Sequence, residues 1–183
     1  MTERIELFAA QTPIVFETLA SKGRYVVKRE FILNKYGEAA PVMLKAYDWF
    51  IRQFSRKVPR PDGTEYPVWL YGDPGYANVH PSQKLVRLSV PKERLVLFDN
   101  KGWAQVLSMN YVETDPVDLR RFEKKLDQFG LDCGFTAFEK PFYPQIRREI
   151  EASWPRIFDL KPGSVIRAAV WELWPEWIVE PDA

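Results

Sequence analysis

Between Arg4 and Ala10 the chain alternates, with Ile5 and Leu7 on one side and Glu6 and Phe8 on the other, the period of a strand. Helix signals follow directly. Thr12 is suited to cap a helix, Pro13 opens it at a position where a missing N–H costs nothing, and Gly23 closes it in a left-handed conformation. Val15, Phe16 and Leu19 share the inward side of that helix. From Arg24 to Tyr36 the cations Arg24, Lys28 and Arg29 interrupt Tyr25, Val26 and Val27, which predicts irregular or short extended backbone. After Pro41 the period changes again. Met43, Tyr47, Phe50, Phe54 and Val58 recur at helical spacing while Lys45, Asp48, Arg52 and Arg56 take the opposite side, so a long amphipathic helix is predicted there.

Pro59, Pro61, Asp62 and Gly63 form a turn-rich connector. Tyr66 to Tyr71 reads as a strand that ends at Asp73-Pro74-Gly75, with Pro67 near its start or on an edge, where an absent N–H does least harm. A loop holding Tyr76, Asn78 and His80 leads to an alternating strand, Leu85 to Val90, and a short one, Leu95 to Phe98. Asp99 can cap a helix carrying Trp103, Val106 and Leu107 on one face. Asp115 and Pro116 open another with Leu119, Phe122, Leu126 and Phe129 inward. Pro144 starts a third, with Ile146, Ile150 and Trp154 aligned, and Pro155 should stop or kink it. Val165 to Leu173 reads as a last strand, followed by an apolar tail around Trp177 and Ile178. Strands thus lie at both ends and in the middle with helices grouped between them. The predicted class is α+β, one domain, with a mixed or mostly antiparallel sheet rather than a doubly wound parallel one.

Composition narrows the functional classes. A chain of 183 residues fits one domain and buries roughly 70% of its unfolded surface without disulfides or a structural metal. Cys133 is alone, which excludes internal disulfides and Cys-x-x-Cys motifs and is read as a small buried or half-buried hydrophobe in a reducing compartment. Met1 to Gln11 contains no signal-peptide core, and no run approaches the ~20 apolar residues of a membrane span, so a cytoplasmic location is expected. With a net charge of +1, the chain lacks the basic excess that drives phosphate-backbone binding, and nucleic acid is a disfavoured partner. The cluster Lys22, Arg24, Tyr25, Lys28 and Arg29 is then a solvated charged surface. Aromatic content is high, with seven Trp, eight Tyr and twelve Phe, and each buried ring removes about 150–250 Å² from water.

Several segments together, namely Leu7 to Gln11, Ala46-Tyr47-Asp48-Trp49, Tyr66-Pro67-Val68-Trp69, Val96-Leu97-Phe98-Asp99 with Trp103, Ser153 to Leu160, and Ala168 to Leu173, resemble a bacterial family known as domain of unknown function 3841. The matches occur in order along nearly the whole chain. The resemblance implies a small cytoplasmic bacterial protein and brings no catalytic residues with it. It also marks two departures: Ala104-Gln105 stand where relatives are expected to have His after the helix tryptophan, and Arg167 where they tend to have Gln in the last strand.

Gly-rich phosphate loops are missing, which argues against P-loop and standard dinucleotide folds. One His and one Cys supply neither a zinc site nor a Ser-His-Asp or Cys-His system, and no metal is expected; His80 reads as a solvated or hydrogen-bonded loop residue. The candidate ligand-binding residues are Trp69, Tyr71, Asp73 and Tyr76, with Asn78, at the end of the middle strand. Asp99 and Trp103 would join them if the two middle strands are neighbours. Turn and cap chemistry already accounts for Asp73 and Asp99. The first functional expectation is therefore a ligand-binding or protein-interaction module with an aromatic-lined pocket. Its partner would be a small molecule or a protein, and Trp171, Trp174 and Trp177 would serve as a dimer patch if exposed. A second follows from the order of elements, which is similar in outline to ADP-ribosyltransferases, enzymes that hold NAD in a split-sheet cleft. Under that reading Glu172 is the catalytic candidate, NAD is the cofactor, and Gln11 stands where a His or Arg anchor is expected.

Overall fold

Local signals set most of the elements, which a computed structural model describes over residues 2–36 and 40–179. β1 (Arg4–Gln11) leads into α1 (Pro13–Lys22), which closes on Gly23 at φ 70°, although the Thr12 side chain makes no cap hydrogen bond. β2 (Tyr25–Val26) follows, and then the first departure: Arg29–Tyr36, expected to be irregular, is a helix, α2. α3 (Ala40–Lys57) buries Tyr47, Phe50 and Phe54 as its spacing requires. β3 (Val68–Tyr71), β4 (Lys84–Pro91) and β5 (Leu95–Asp99) form the middle strands. The Asp99 carboxylate accepts the Gly102 N–H at 2.7 Å to cap α4 (Asn100–Leu107), and the Asp115 carboxylate accepts the N–H groups of Val117 and Asp118 to cap α5 (Pro116–Gln128). A single turn, α6 (Thr136–Glu139), precedes α7 (Pro144–Ser153), which tightens into a 3-10 turn at Trp154–Phe158, where Pro155 stands.

The final apolar run is not one strand. β6 (Ile166–Val170) belongs to the main sheet, whereas β7 (Glu172–Leu173) pairs with β2 in a separate two-stranded sheet. The break falls at Trp171, whose indole N–H donates to Val58 O at 3.1 Å and whose ring stacks on Phe54 at 4.3 Å. Satisfying that indole in the core turns the chain out of the ladder. β8 (Ile178–Val179) returns to the main sheet, which has six antiparallel strands in the order β5-β6-β3-β1-β4-β8. The fold class is α+β.

The sheet divides two apolar layers. Trp69, Val96, Phe98 and Ala169 face α3, α4, α7 and the 3-10 turn that follows it, where Phe50, Trp103 and Trp154 are among the most deeply buried side chains. Leu7, Val68, Leu70, Leu95, Ala168 and Val170 face α1 and the chain end, where Leu19, Leu173 and Trp177 close the second layer. Trp171 and Trp177 are buried and Trp174 is half-buried, so this set fills the interior. Cys133, expected inside, is exposed at the Gly130–Thr136 turn region beside Thr136 Oγ1.

The segment between α4 and α5 is fastened by the turn after α7. Ser153 Oγ accepts the Val112 N–H at 2.9 Å, the Trp154 indole N–H donates to Asn110 O at 2.9 Å, and Arg156 donates to Val112 O and to Asp118. The Ser153–Arg156 motif is thereby given a structural task, that of holding α4 and α5 in place. Among the described residues no helix is long and apolar enough to cross a membrane.

Candidate functional site

β1 pairs with β4 over eight residues, from Arg4↔Pro91 to Gln11↔Lys84, but meets β3 at one register point, Phe8↔Tyr71. The sequence explains why pairing goes no further. Pro67 has no N–H to give a ladder, Pro13 turns the other arm into α1, and the Tyr66 N–H donates to Val27 O (3.3 Å) instead of to β1. Between the parted arms lies a cleft of about 390 Å³. Ala10 and Gln11 line it from β1, Pro67, Val68, Trp69 and Tyr71 from the other arm, Tyr25 and Val27 from the segment around β2, Tyr47 from α3, Arg167 from β6, and Ala77, Asn78 and Gln83 from the loop before β4.

Of the residues singled out in the sequence, Trp69 and Tyr71 share this cleft, together with Asn78 and Gln11. The remainder lie elsewhere. Asp73 and Tyr76 border a hollow of about 540 Å³ beyond the Phe8↔Tyr71 point, with Ile5, Leu97 and Ile166, and the Asp73 carboxylate is engaged by the Gly75 N–H at 2.7 Å. Asp99 borders a third hollow, of about 400 Å³, with Glu113 and Asp115. The condition for bringing Asp99 to Tyr71 was adjacency of β3 and β5, and β6 lies between them. Trp103 is 2% exposed and packs against Trp69 at 5.1 Å, behind the cleft. Glu172 is in the small sheet, buried and paired with Arg24 at 3.2 Å. His80 is exposed, with Nδ1 2.8 Å from Ser82 Oγ.

Arg167 is the functional candidate that the sequence offered only as a departure. It faces Tyr71 on one neighbouring strand and Phe98 on the other. Its guanidinium lies 4.6 Å from the centre of the Tyr71 ring and 5.6 Å from that of Trp69. A cation within an otherwise apolar strand was the signal available, because charges are rarely placed there without a task. Burial pushes the Tyr25 hydroxyl above its ordinary range, so this ring stays a neutral donor around neutrality. The described lining thus supplies ring faces, amides, phenols and one guanidinium, a set suited to holding a small molecule. Among the described residues no group of three or more His, Cys, Asp or Glu is placed to hold a metal ion.

Residues 6–179 match the sequence model of a family described as a domain of unknown function, DUF3841. The chain belongs to that family. No curated protein and no solved structure matches it. Within this DUF3841 chain, the motif segments serve two ends. Ser153, Trp154 and Trp171 tie helices and strands together, whereas Gln11, Tyr47 and Trp69 meet at the cleft.

Proposed function

We propose that this DUF3841 protein is a ligand-binding module that takes a flat, ring-bearing small molecule into the cleft between β1 and β3. One observation carries the reading: a single hollow gathers Trp69, Tyr71, Tyr25 and Arg167 with the amides of Gln11, Asn78 and Gln83. Its volume of about 390 Å³ falls within the roughly 300–1,000 Å³ of small-molecule sites, and its aromatic side chains stand beside several polar groups that can fix the orientation of a guest. Ring faces favour offset stacking or edge contacts with a planar guest, and the amides fix its orientation. Asn78, among the residues lining the cleft, adopts φ 44°, a left-handed conformation that Asn tolerates better than most residues.

The parting of β1 from β3 favours a second reading, a site for NAD of the kind ADP-ribosyltransferases build in a split sheet. Glu172, the carboxylate proposed for such chemistry, stands outside the cleft in an ion pair with Arg24, and the late-strand side chain inside it is Arg167. Binding of NAD is therefore compatible with this reading, and transfer chemistry through Glu172 is not.

A thermal-shift and ligand-observed NMR screen of nucleobases, nucleosides, nucleotides and NAD on the full chain tests the proposal. A saturable response that Trp69→Ala removes supports it, with Trp174→Phe as a control outside the cleft. The absence of any response at millimolar ligand, with the protein folded, rejects it. Nicotinamide release from NAD is the separate readout for transfer.

A further inference from the structure

We infer that the guest of the β1–β3 cleft is a nitrogen heterocycle of the nucleobase type, read along its hydrogen-bonding edge by the carboxamides of Gln11, Asn78 and Gln83. The inference rests on the reading of the cleft as a ligand site and goes further by naming the class of ring. Its starting point is the strand register. Gln11 is the last residue of β1 and lies opposite Lys84, the first residue of β4, so Gln83 is its diagonal neighbour at the end of the ladder. Asn78 joins them from the loop that carries Gln83, and all three line the cleft. The amides thus belong to β1 and the loop before β4, whereas Trp69 and Tyr71 belong to the other arm.

The Gln83 amide is oriented by its own turn. Its backbone N–H donates to His80 O at 2.8 Å, and its side-chain Oε1 accepts the His80 N–H at 3.0 Å. A backbone N–H can only donate, so the oxygen is the committed half of this amide and the NH2 is the half left for a guest. Two bonds to one residue hold the side chain before any guest arrives, which lowers the entropy cost of ordering a long, flexible group on binding. Gln11 and Gln83 are half-buried, and Asn78 is exposed.

A carboxamide carries an acceptor and a donor side by side in one plane, the arrangement found along the edge of a base, and Asn and Gln pair with adenine in this bidentate way. Three polar side chains of the described lining are carboxamides, and a single one, Arg167, is ionic, so neutral donor–acceptor pairing is the chemistry the cleft offers most of. A flat ring without such an edge would stack equally well and leave half-buried amides without partners. That penalty is what lets a site built to hydrogen-bond reject a bare isostere.

Matched ribosides test the inference on the full chain, with affinities from ligand-observed NMR: adenosine, inosine, cytidine and uridine against indole riboside. The indole ring is flat and more apolar than any base and has no acceptor on its edge, so stacking alone would favour it. At least one nucleoside should instead bind about ten- to a hundredfold more tightly than indole riboside. Gln83→Glu keeps an oxygen for the His80 N–H and exchanges the NH2 for a second acceptor. It should weaken the preferred nucleoside about tenfold or more and leave indole riboside unchanged, and Gln11→Leu should narrow the same margin. Loss of the margin in either variant supports the inference. Indole riboside binding as tightly as every nucleoside, or a margin that survives both substitutions, overturns it while leaving the cleft as a ligand site. Failure of all five probes to bind at millimolar concentration removes the cleft reading and this inference together. Should Gln83→Glu not fold, the wild-type margin and its response to Gln11→Leu decide the matter.

Discussion

Replacing Asp118 by Asn perturbs the fastening of the helical layer without changing its shape. In the native protein one carboxylate oxygen accepts the Tyr111 hydroxyl (2.9 Å) and Arg121 (3.1 Å), and the other accepts the Thr114 N–H (3.0 Å) and Arg156 (2.9 Å). Either orientation of an Asn amide sets its NH2 against two of these donors, so two bonds and the charge are lost. Hydrogen bonds to charged groups contribute about 1.5–3 kcal/mol each, and exposure of Arg121 reduces its share, so the expected loss is about 2–4 kcal/mol. At about 2–4 °C per kcal/mol for a chain of this size, the melting temperature should fall by roughly 4–16 °C. Burial alone would raise the Asp118 carboxyl. The Thr114, Tyr111 and Arg121 hydrogen bonds and the charge of Arg156 prevail, and hold it well below the usual carboxylate range. A depressed carboxyl stabilises the folded state above its unfolded pKa of about 3.9, and that contribution is lost as pH falls toward the folded value. Urea unfolding of wild type and Asp118→Asn across pH should therefore give a constant difference above about pH 5 that shrinks below about pH 4. A difference under about 0.5 kcal/mol at neutral pH, or one that grows on acidification, would refute this account of the fastening.

Other substitutions separate fold from site. At Gly102 an added Cβ would stand 2.9 Å from Ile157 Cγ2, so Gly102→Ala should destabilise by about 1–3 kcal/mol in urea unfolding. Asp99→Ala should cost about 1 kcal/mol of stability through loss of the α4 cap and leave ligand affinity in the cleft unchanged; lost binding in a folded variant would restore Asp99 to the site. Glu172 is 6% exposed against 40% for Arg24, so Glu172→Gln should lower stability by about 1–2 kcal/mol with no effect on ligand affinity. Weaker binding at native stability would instead assign Glu172 a direct role.

What could be read from the sequence was governed by local physics. The Met43–Val58 stripe, the alternation of β1, the glycine after α1 and the caps at Asp99 and Asp115 are properties of neighbouring residues, and each reappears in the fold. Helix α2 escaped because eight residues with charged Arg29, Glu30 and Lys35 carry too weak an apolar period. The Val165–Leu173 run divides between two sheets through Trp171, whose partners Phe54 and Val58 are distant in sequence. The same non-local cause governs the site. Trp69 and Tyr71 were legible because alternation puts them on one face of one strand, whereas the insertion of β6 between β3 and β5 separates Asp99 from them and brings Arg167 in. Strand order of this kind depends on pairings across most of the chain, and no local pattern encodes it.

The central claim, that the cleft between β1 and β3 is where a ligand stacks, is tested most directly by 19F NMR of the protein labelled with 5-fluorotryptophan. Seven resonances are expected, with that of position 69 assigned by its absence in Trp69→Phe. Trp69 lines the cleft, while Trp154 and Trp171 are buried in the helical layer away from it. On titration with a ligand from the screen, the Trp69 resonance should move saturably, with at most a smaller response from the adjoining Trp103 and none from Trp154, Trp171 or Trp177. Saturable binding that leaves Trp69 unmoved and shifts another tryptophan would locate the site elsewhere and contradict the claim.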